Sequence, residues 1–294
     1  MTPSSRRPRL LAPIPAVLLA MVSVQGGAAL AKDLFPALGP LGTASVRITL
    51  SAAVLVAVFR PPLGRLDGAR WRAVIPYGVV LGLMNAVFYL SLARIPLGAA
   101  VTLEFLGPLA VAVLGSRRPS DFLWVLLAAA GIALLVPWNP GQVNALDPLG
   151  VALALLAGAC WAAYILLGAR VSRLFTDGQG AATGMLFATL AVLPFALADG
   201  VVGRLTPPLL GAGLGVALLS SALPYTLEMV ALRALPSRTF GILMSLEPAL
   251  ATLAGLLFLS ERLTPAQWLA VVLVSAASAG STLTAPRSSP PRDA

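Results

Sequence analysis

Arg94-Ile-Pro-Leu-Gly-Ala-Ala-Val-Thr-Leu-Glu-Phe-Leu-Gly-Pro108 aligns without a gap on Ala234-Leu-Pro-Ser-Arg-Thr-Phe-Gly-Ile-Leu-Met-Ser-Leu-Glu-Pro248. The offset is 140 residues, with Pro96 on Pro236 and Pro108 on Pro248. Each stretch reads as an apolar helix with a carboxylate and a proline at its centre. Two similar halves, each holding a broken and charged helix, is an arrangement on which many secondary transporters are built.

Composition places the chain in a membrane. It is 58% hydrophobic and 11% charged, with mean hydropathy +0.91, where a soluble domain averages about 25% charged residues. There is no His, and the single Cys160 lies in an apolar run. Disulfides, thiolate zinc sites and imidazole acid–base chemistry are therefore excluded together. No cofactor or metal is expected. The net charge of +9 would suggest nucleic acid in a soluble protein. Here the arginines sit in short connections, which makes the charge a topology signal, and no nucleic-acid partner is expected.

A crossing needs roughly 20 apolar residues, because hydrocarbon offers the backbone no hydrogen-bond partner. Ten segments qualify: Ile14–Leu30, Thr43–Phe59, Val74–Leu92, Leu97–Leu114, Phe122–Val136, Leu149–Gly168, Ala181–Leu197, Leu209–Leu232, Thr239–Leu259 and Ala266–Leu283. The fold class expected is all-α and polytopic. Ten transmembrane helices form two inverted five-helix repeats, residues 14–136 and 149–283, between cytoplasmic tails 1–13 and 284–294. Of the 20 Lys and Arg, fifteen fall on the side of the N-terminus, Arg47 lies inside a span, and only Lys32, Arg94, Arg204 and Arg262 fall opposite. That bias puts both termini in the cytoplasm. Five spans per half is odd, so the second half is inverted relative to the first. Ser5-Arg6-Arg7 and Ala29-Leu30-Ala31 resemble signal-peptide elements, but Gln25 interrupts the run and the ten-span parity includes it. The reading is an uncleaved first helix. The tail from Ala285 is rich in Pro, Ser and Arg and reads as disordered.

Ionisable groups inside spans are expensive and mark candidate sites. Glu104 precedes Pro108 by four, and proline removes the bond to the carbonyl of residue i−4. One place thus gains a carboxylate, an unpaired carbonyl and a kink. Glu104 is either functional or a structural partner for a cation such as Arg47, and the two are compatible if substrate or proton competes for the pair. Glu247 directly precedes Pro248, which frees the carbonyl of Met244. In the repeat it falls on Gly107, so the two carboxylates are not copies of one another. Their phases still allow both to face one cavity. Glu228 shares one side of its helix with Pro224 and Tyr225. Arg47 would bind a substrate carboxylate, pair with Glu104 or snorkel. Asn85 and Tyr89, four apart, would supply neutral polar contacts. Trp161 and Tyr164 read as packing, and Gln25-Gly26-Gly27 as a close helix approach with one amide.

These residues carry a resemblance. Ser23-Val-Gln-Gly-Gly-Ala-Ala-Leu-Ala-Lys32, Met84-Asn-Ala-Val-Phe-Tyr-Leu90, Leu103-Glu-Phe-Leu-Gly-Pro-Leu-Ala110, Leu223-Pro-Tyr-Thr-Leu-Glu-Met229 and Met244-Ser-Leu-Glu-Pro-Ala249 resemble the EamA-type branch of the drug/metabolite transporter superfamily. The Glu-Pro of the ninth span is general to it. Leu-Glu-Phe-Leu-Gly-Pro and Leu-Pro-Tyr-Thr-Leu-Glu-Met are narrower and point to an amino-acid-exporting branch. The resemblance implies efflux of threonine, homoserine and related amino acids from the bacterial cytoplasm across the inner membrane, driven by protons. The partners implied are a small amino acid, protons and lipid, in a monomer or homodimer. The residues alone reach only a two-repeat secondary transporter. A proton-independent facilitator stays open beside that reading. A nucleotide-sugar exchanger would want several cations inside the spans, and an enzyme would want a catalytic cluster.

Overall fold

The structure is a computed structural model that describes residues 13–114, 119–135, 146–175, 178–224, 227, 235 and 237–284. Every described regular element is helical. In chain order they are α1 (Pro13–Asp33), α2 (Phe35–Phe59), a short 3₁₀ turn (Leu63–Arg65), α3 (Gly68–Leu92), α4 (Leu97–Glu104), α5 (Leu106–Leu114), α6 (Pro119–Leu135), α7 (Pro148–Leu174), α8 (Gln179–Ala198) and α9 (Val201–Arg204). There follow α10 (Pro207–Ala217), a π-turn (Leu218–Ala222), α11 (Ser237–Met244), α12 (Glu247–Phe258) and α13 (Pro265–Thr284). Among the described residues, seven stretches are long and apolar enough to cross a membrane: α1, α2, α3, α7, α8, Thr239–Phe258 and α13. Shorter apolar helices occupy Leu97–Val111, Phe122–Leu135 and Pro207–Ser221. The chain is thus a polytopic helical membrane protein.

Helix starts follow local chemistry. Asp67 accepts from the Arg70 amide at 2.8 Å and Asp147 from the Leu149 amide at 2.9 Å, each satisfying an amide that the first turn leaves unpaired. Thr264 and Gln267 exchange side-chain and backbone bonds at the start of α13. The second helix begins at Phe35, earlier than the Thr43 that hydropathy gives. It continues through a kink at Gly39, whose φ of 72° suits glycine, followed by Pro40. Arg47 is consequently two turns inside the kink rather than near a helix end. α7, expected over Leu149–Gly168, reaches Leu174.

Packing is built on small residues, since lipid tails provide no hydrophobic drive between helices. α3 runs along α7 and α8, α2 along α8, α4 on α12, α6 on α13, and α4–α5 on α7. α1 packs on α10, the π-turn, α11 and α12, and α10 packs on α2. At the α5–α7 crossing a Cβ on Gly107 would lie 2.0 Å from the Gly158 carbonyl oxygen. Large apolar side chains such as Leu166, Leu190, Phe195 and Leu257 are exposed instead, on the surface that a bilayer would cover.

The two ends of the bundle differ. One carries the ion pairs Lys32–Glu261, Arg94–Asp147 and Arg204–Asp199. At the other, the Arg70 guanidinium donates to the Leu174 carbonyl at 3.1 Å and Gly178 packs on Phe59.

Candidate functional site

Among the described residues, two helices are broken inside the bundle, and proline explains both. α4 stops at Glu104, four residues before Pro108, and α11 stops at Met244, four before Pro248. Each stop is the residue whose carbonyl loses its amide partner to the proline. The Glu104 carbonyl faces Gly158, where a Cβ would lie only 2.8 Å away. Glu247 opens α12, where the positive end of the helix dipole favours a carboxylate.

The breaks border one cavity of about 160 Å³. Its polar lining is Arg47 from α2, Asn85 and Tyr89 from α3, Glu104 from α4, Ser220 from the π-turn and Glu247 from α12. Val24, Ala28, Met84, Phe88 and Trp161 complete the wall. Five of the residues singled out in the sequence, Glu104, Glu247, Arg47, Asn85 and Tyr89, therefore meet. Both carboxylates are buried, Glu104 at 7% and Glu247 at 8% exposure.

Arg47 is held from two sides. Its guanidinium donates to the Asn85 side-chain carbonyl and lies 5.3 Å above the Tyr89 ring centroid, within cation–π range. Asn85 is fixed in turn by donating to the Leu81 carbonyl at 2.8 Å. The buried Nε of Arg47 has no hydrogen-bond partner among the described residues. No Arg47–Glu104 ion pair forms among them, so the pairing considered from sequence is replaced by Asn85 and Tyr89. A neutral amide and an aromatic face hold the cation without discharging it.

Gln25, 2% exposed, donates to Glu247 at 3.3 Å, while its own Oε1 has no partner among the described residues. The adjacent glycines separate in role. A Cβ on Gly27 would meet Ser220 Oγ at 2.4 Å, whereas one on Gly26 would meet nothing within 4 Å. Trp161 lines the cavity with its ring edge-on to Phe105 at 5.5 Å, directly at the first helix break. Tyr164 instead stacks on Tyr77 at 4.9 Å. Pro224 is buried just beyond the π-turn. Tyr225 and Glu228 lie outside the described residues. Ser220 is the polar lining residue that the sequence reading missed. Its signal was Pro224, four residues on, which marks a disturbed helix as Pro108 and Pro248 do.

Two buried carboxylates and one guanidinium line one small, largely apolar chamber, which gives it charges of both signs. An ammonium is matched by Glu104 or Glu247, and a carboxylate by the guanidinium.

The EamA-like transporter family model matches residues 148–283. The Threonine/homoserine exporter RhtA of Escherichia coli (strain K12) is 49% identical over 284 residues, covering 96% of this chain and 95% of that protein. RhtA of Salmonella typhimurium (strain LT2) is 47% identical over 281 residues, with coverage of 96% and 95%. The transporter YwfM of Bacillus subtilis (strain 168) is 28% identical over 246 residues, covering 80% and 81%. A crystal structure at 20% identity superposes with a TM-score of 0.57, spanning 92% of this chain and 96% of that one. At that identity the likeness is one of fold alone.

Proposed function

Since the chain belongs to the EamA-like transporter family, we propose that it exports threonine, homoserine and related small amino acids across the bacterial inner membrane. One observation carries the reading. One cavity of about 160 Å³ brings together Glu104, Glu247 and Arg47, whose Nε has no hydrogen-bond partner among the described residues. Drug-sized ligands take pockets of about 300–1,000 Å³. The volume therefore favours one small amino acid over a nucleotide sugar or a drug.

The architecture proposed is ten spans in two inverted repeats, residues 14–136 and 149–283, with α4–α5, α10 with its π-turn, and α11–α12 each counted as one span. Helix packing supports it. Exchanging each span with the one five later carries the α3–α7 contact onto that of α10 with α1, and α3–α8 onto α10–α2. The same exchange carries α4–α5 on α7 onto α11–α12 on α1. It returns the α2–α8, α4–α12 and α6–α13 contacts to themselves. Charge bias supports cytoplasmic termini, since Arg60, Arg65, Arg70, Arg72, Arg170 and Arg173 fall in or beside connections at one end. The end with the three ion pairs is then the outer one.

Transport runs by alternating access, with rocking of one repeat against the other around the cavity. Proton antiport supplies the drive: Glu104 or Glu247 exchanges a proton for the substrate ammonium. One charge moved through 100 mV is worth about 2.3 kcal/mol, a concentration ratio of roughly 50 at full coupling.

Proteoliposomes with an imposed pH gradient test this with labelled threonine, homoserine, serine, a branched-chain amino acid and a nucleotide sugar. The expected result is gradient-dependent accumulation of threonine and homoserine that an uncoupler abolishes. Equilibration of threonine and homoserine without accumulation, unaffected by the uncoupler, would make the protein a facilitator. Transport of neither amino acid by folded protein would overturn the substrate assignment.

A further inference from the structure

We propose that Ser220 is the specificity-determining residue of the cavity, receiving the side-chain hydroxyl of the substrate so that hydroxy amino acids are selected over those without one. The inference rests on the amino-acid reading above and extends it.

The argument starts from Pro224. In Leu218-Leu219-Ser220-Ser221-Ala222 the backbone widens into a π-turn, and the Leu223 amide bonds back to the Leu218 carbonyl, five residues earlier. The next residue in that register would donate to the Leu219 carbonyl, but it is Pro224 and has no N–H. The Ser23 hydroxyl of α1 donates to that carbonyl instead, at 2.7 Å. On the other flank the Ser221 and Ser51 hydroxyls meet at 2.9 Å, tying the turn to α2. π-turns inside helices recur at functional sites, and here both neighbours of Ser220 are anchored while Ser220 faces the cavity. Gly27, one turn beyond Ser23 on α1, makes the room: any side chain there would run into Ser220 Oγ.

The Ser220 hydroxyl is also chemically uncommitted. Hydroxyls in helices commonly bond back to the carbonyl of residue i−4. Thr43, Thr102, Thr183, Thr189 and Thr252 all do so here. Ser220 makes no such bond and has no hydrogen-bond partner among the described residues. Among the polar lining groups, Arg47 and the two carboxylates match the charged ends of an amino acid, and Asn85 is spent on Arg47 and Leu81. Ser220 is a neutral group that both donates and accepts, the complement of a hydroxyl. A site that hydrogen-bonds a substrate hydroxyl discriminates against the analogue lacking it, because the polar group is left unpaired. The Tyr89 hydroxyl is the competing candidate.

The test is competition against labelled-threonine counterflow in proteoliposomes, with unlabelled threonine, homoserine, 2-aminobutyrate and norvaline. Wild type is expected to prefer the two hydroxy amino acids over 2-aminobutyrate and norvaline by about tenfold, the size of one good neutral hydrogen bond. Ser220→Ala and the near-isosteric Ser220→Cys are expected to lose that preference, with 2-aminobutyrate competing as before. Tyr89→Phe is expected to retain it. Four results overturn the inference while leaving amino-acid export standing. These are a wild type that does not discriminate, an equal loss for all competitors in both Ser220 variants, an unchanged ratio, and a selective loss in Tyr89→Phe alone. A wild type that transports neither threonine nor homoserine overturns the export reading itself, and this inference with it.

Discussion

The Lys32 ammonium at the end of α1 lies 2.5 Å from the Glu261 carboxylate ahead of α13, and the pair is largely buried. Glu261 also accepts from the Leu97 amide at 2.7 Å, satisfying the first unpaired N–H of α4, and Lys32 reaches the Ile95 carbonyl at 3.4 Å. Three connections are thereby fastened at one end of the bundle, over the helix that carries Glu104. Removing one member leaves the other largely buried and underpaired. Lys32→Met is expected to cost about 1–3 kcal/mol, roughly 2–4 °C of melting temperature for each kcal/mol. Glu261→Gln keeps an acceptor for Leu97 and is expected to cost less. Thermal melts of the single and double variants in detergent measure the coupling, and additive losses would show that the pair does not act as a unit.

The proposed roles of Glu104 and Glu247 can be separated by measurement. If one carries the coupling proton, its Gln variant is expected to lose gradient-driven accumulation while retaining exchange of labelled for unlabelled substrate. A Gln variant that loses both is binding substrate directly. Full export with unchanged pH dependence in Glu104→Gln and Glu247→Gln alike would remove both from the coupling step.

Backbone contact at the first helix break sets a steric limit. A Cβ on Gly107 would face the Gly158 carbonyl oxygen at 2.0 Å and its carbon at 2.8 Å, atoms that no rotamer change can move. Gly107→Ala is expected to separate α5 from α7 at about 1–3 kcal/mol and to disturb Glu104 three residues away. Gly26→Ala, where the space is open, is expected to leave melting temperature and transport near wild type. Equal behaviour of the two variants would contradict the packing described.

Much of this was legible in the sequence because its signals are local. The helices are long apolar runs, and the breaks sit at positions that Pro108 and Pro248 fix through the missing N–H. Glu104, Glu247, Arg47, Asn85 and Tyr89 announced themselves as polar groups in apolar helices. Tertiary contacts were not legible. Arg47 found Asn85 and Tyr89 rather than Glu104, since the start of α2 at Phe35 sets its depth and the α2–α3 packing sets its neighbours. Ser220 is an ordinary helical serine in sequence. Only the hydroxyl of Ser23, bonded to the Leu219 carbonyl 196 residues away along the chain, and the bare face of Gly27 make its setting unusual.

At the surface, Asp147 caps α7 and accepts from Arg94 at 2.8 Å. The Arg94 hydrogen bond, followed by the Leu149 amide, holds its carboxyl below the ordinary value. A depressed folded-state value contributes stability that is present above the unfolded value and lost as pH falls through the folded one. Its effect is confined to acid conditions and weakens with salt, as for other exposed pairs. A carbon-13 titration of Asp147 is expected to move up towards the ordinary value in Arg94→Leu, and an unmoved titration would assign the depression to the helix cap alone.

Arg47 separates charge from geometry. Arg47→Lys keeps the positive charge over Tyr89 but cannot both donate to Asn85 and present a second, fixed N–H to a substrate carboxylate. One lost hydrogen bond to a charged group is worth about 1.5–3 kcal/mol, so KM for export is expected to rise roughly tenfold to a hundredfold. If the carboxylate is held throughout the transport step, the loss falls in KM with kcat little changed. Arg47→Met removes the charge as well and is expected to abolish saturable transport. Asn85→Asp, which places a carboxylate against the guanidinium, is expected to compete with the substrate and raise KM in the same direction. A KM unchanged in Arg47→Lys and Asn85→Asp would show that the substrate carboxylate is bound elsewhere.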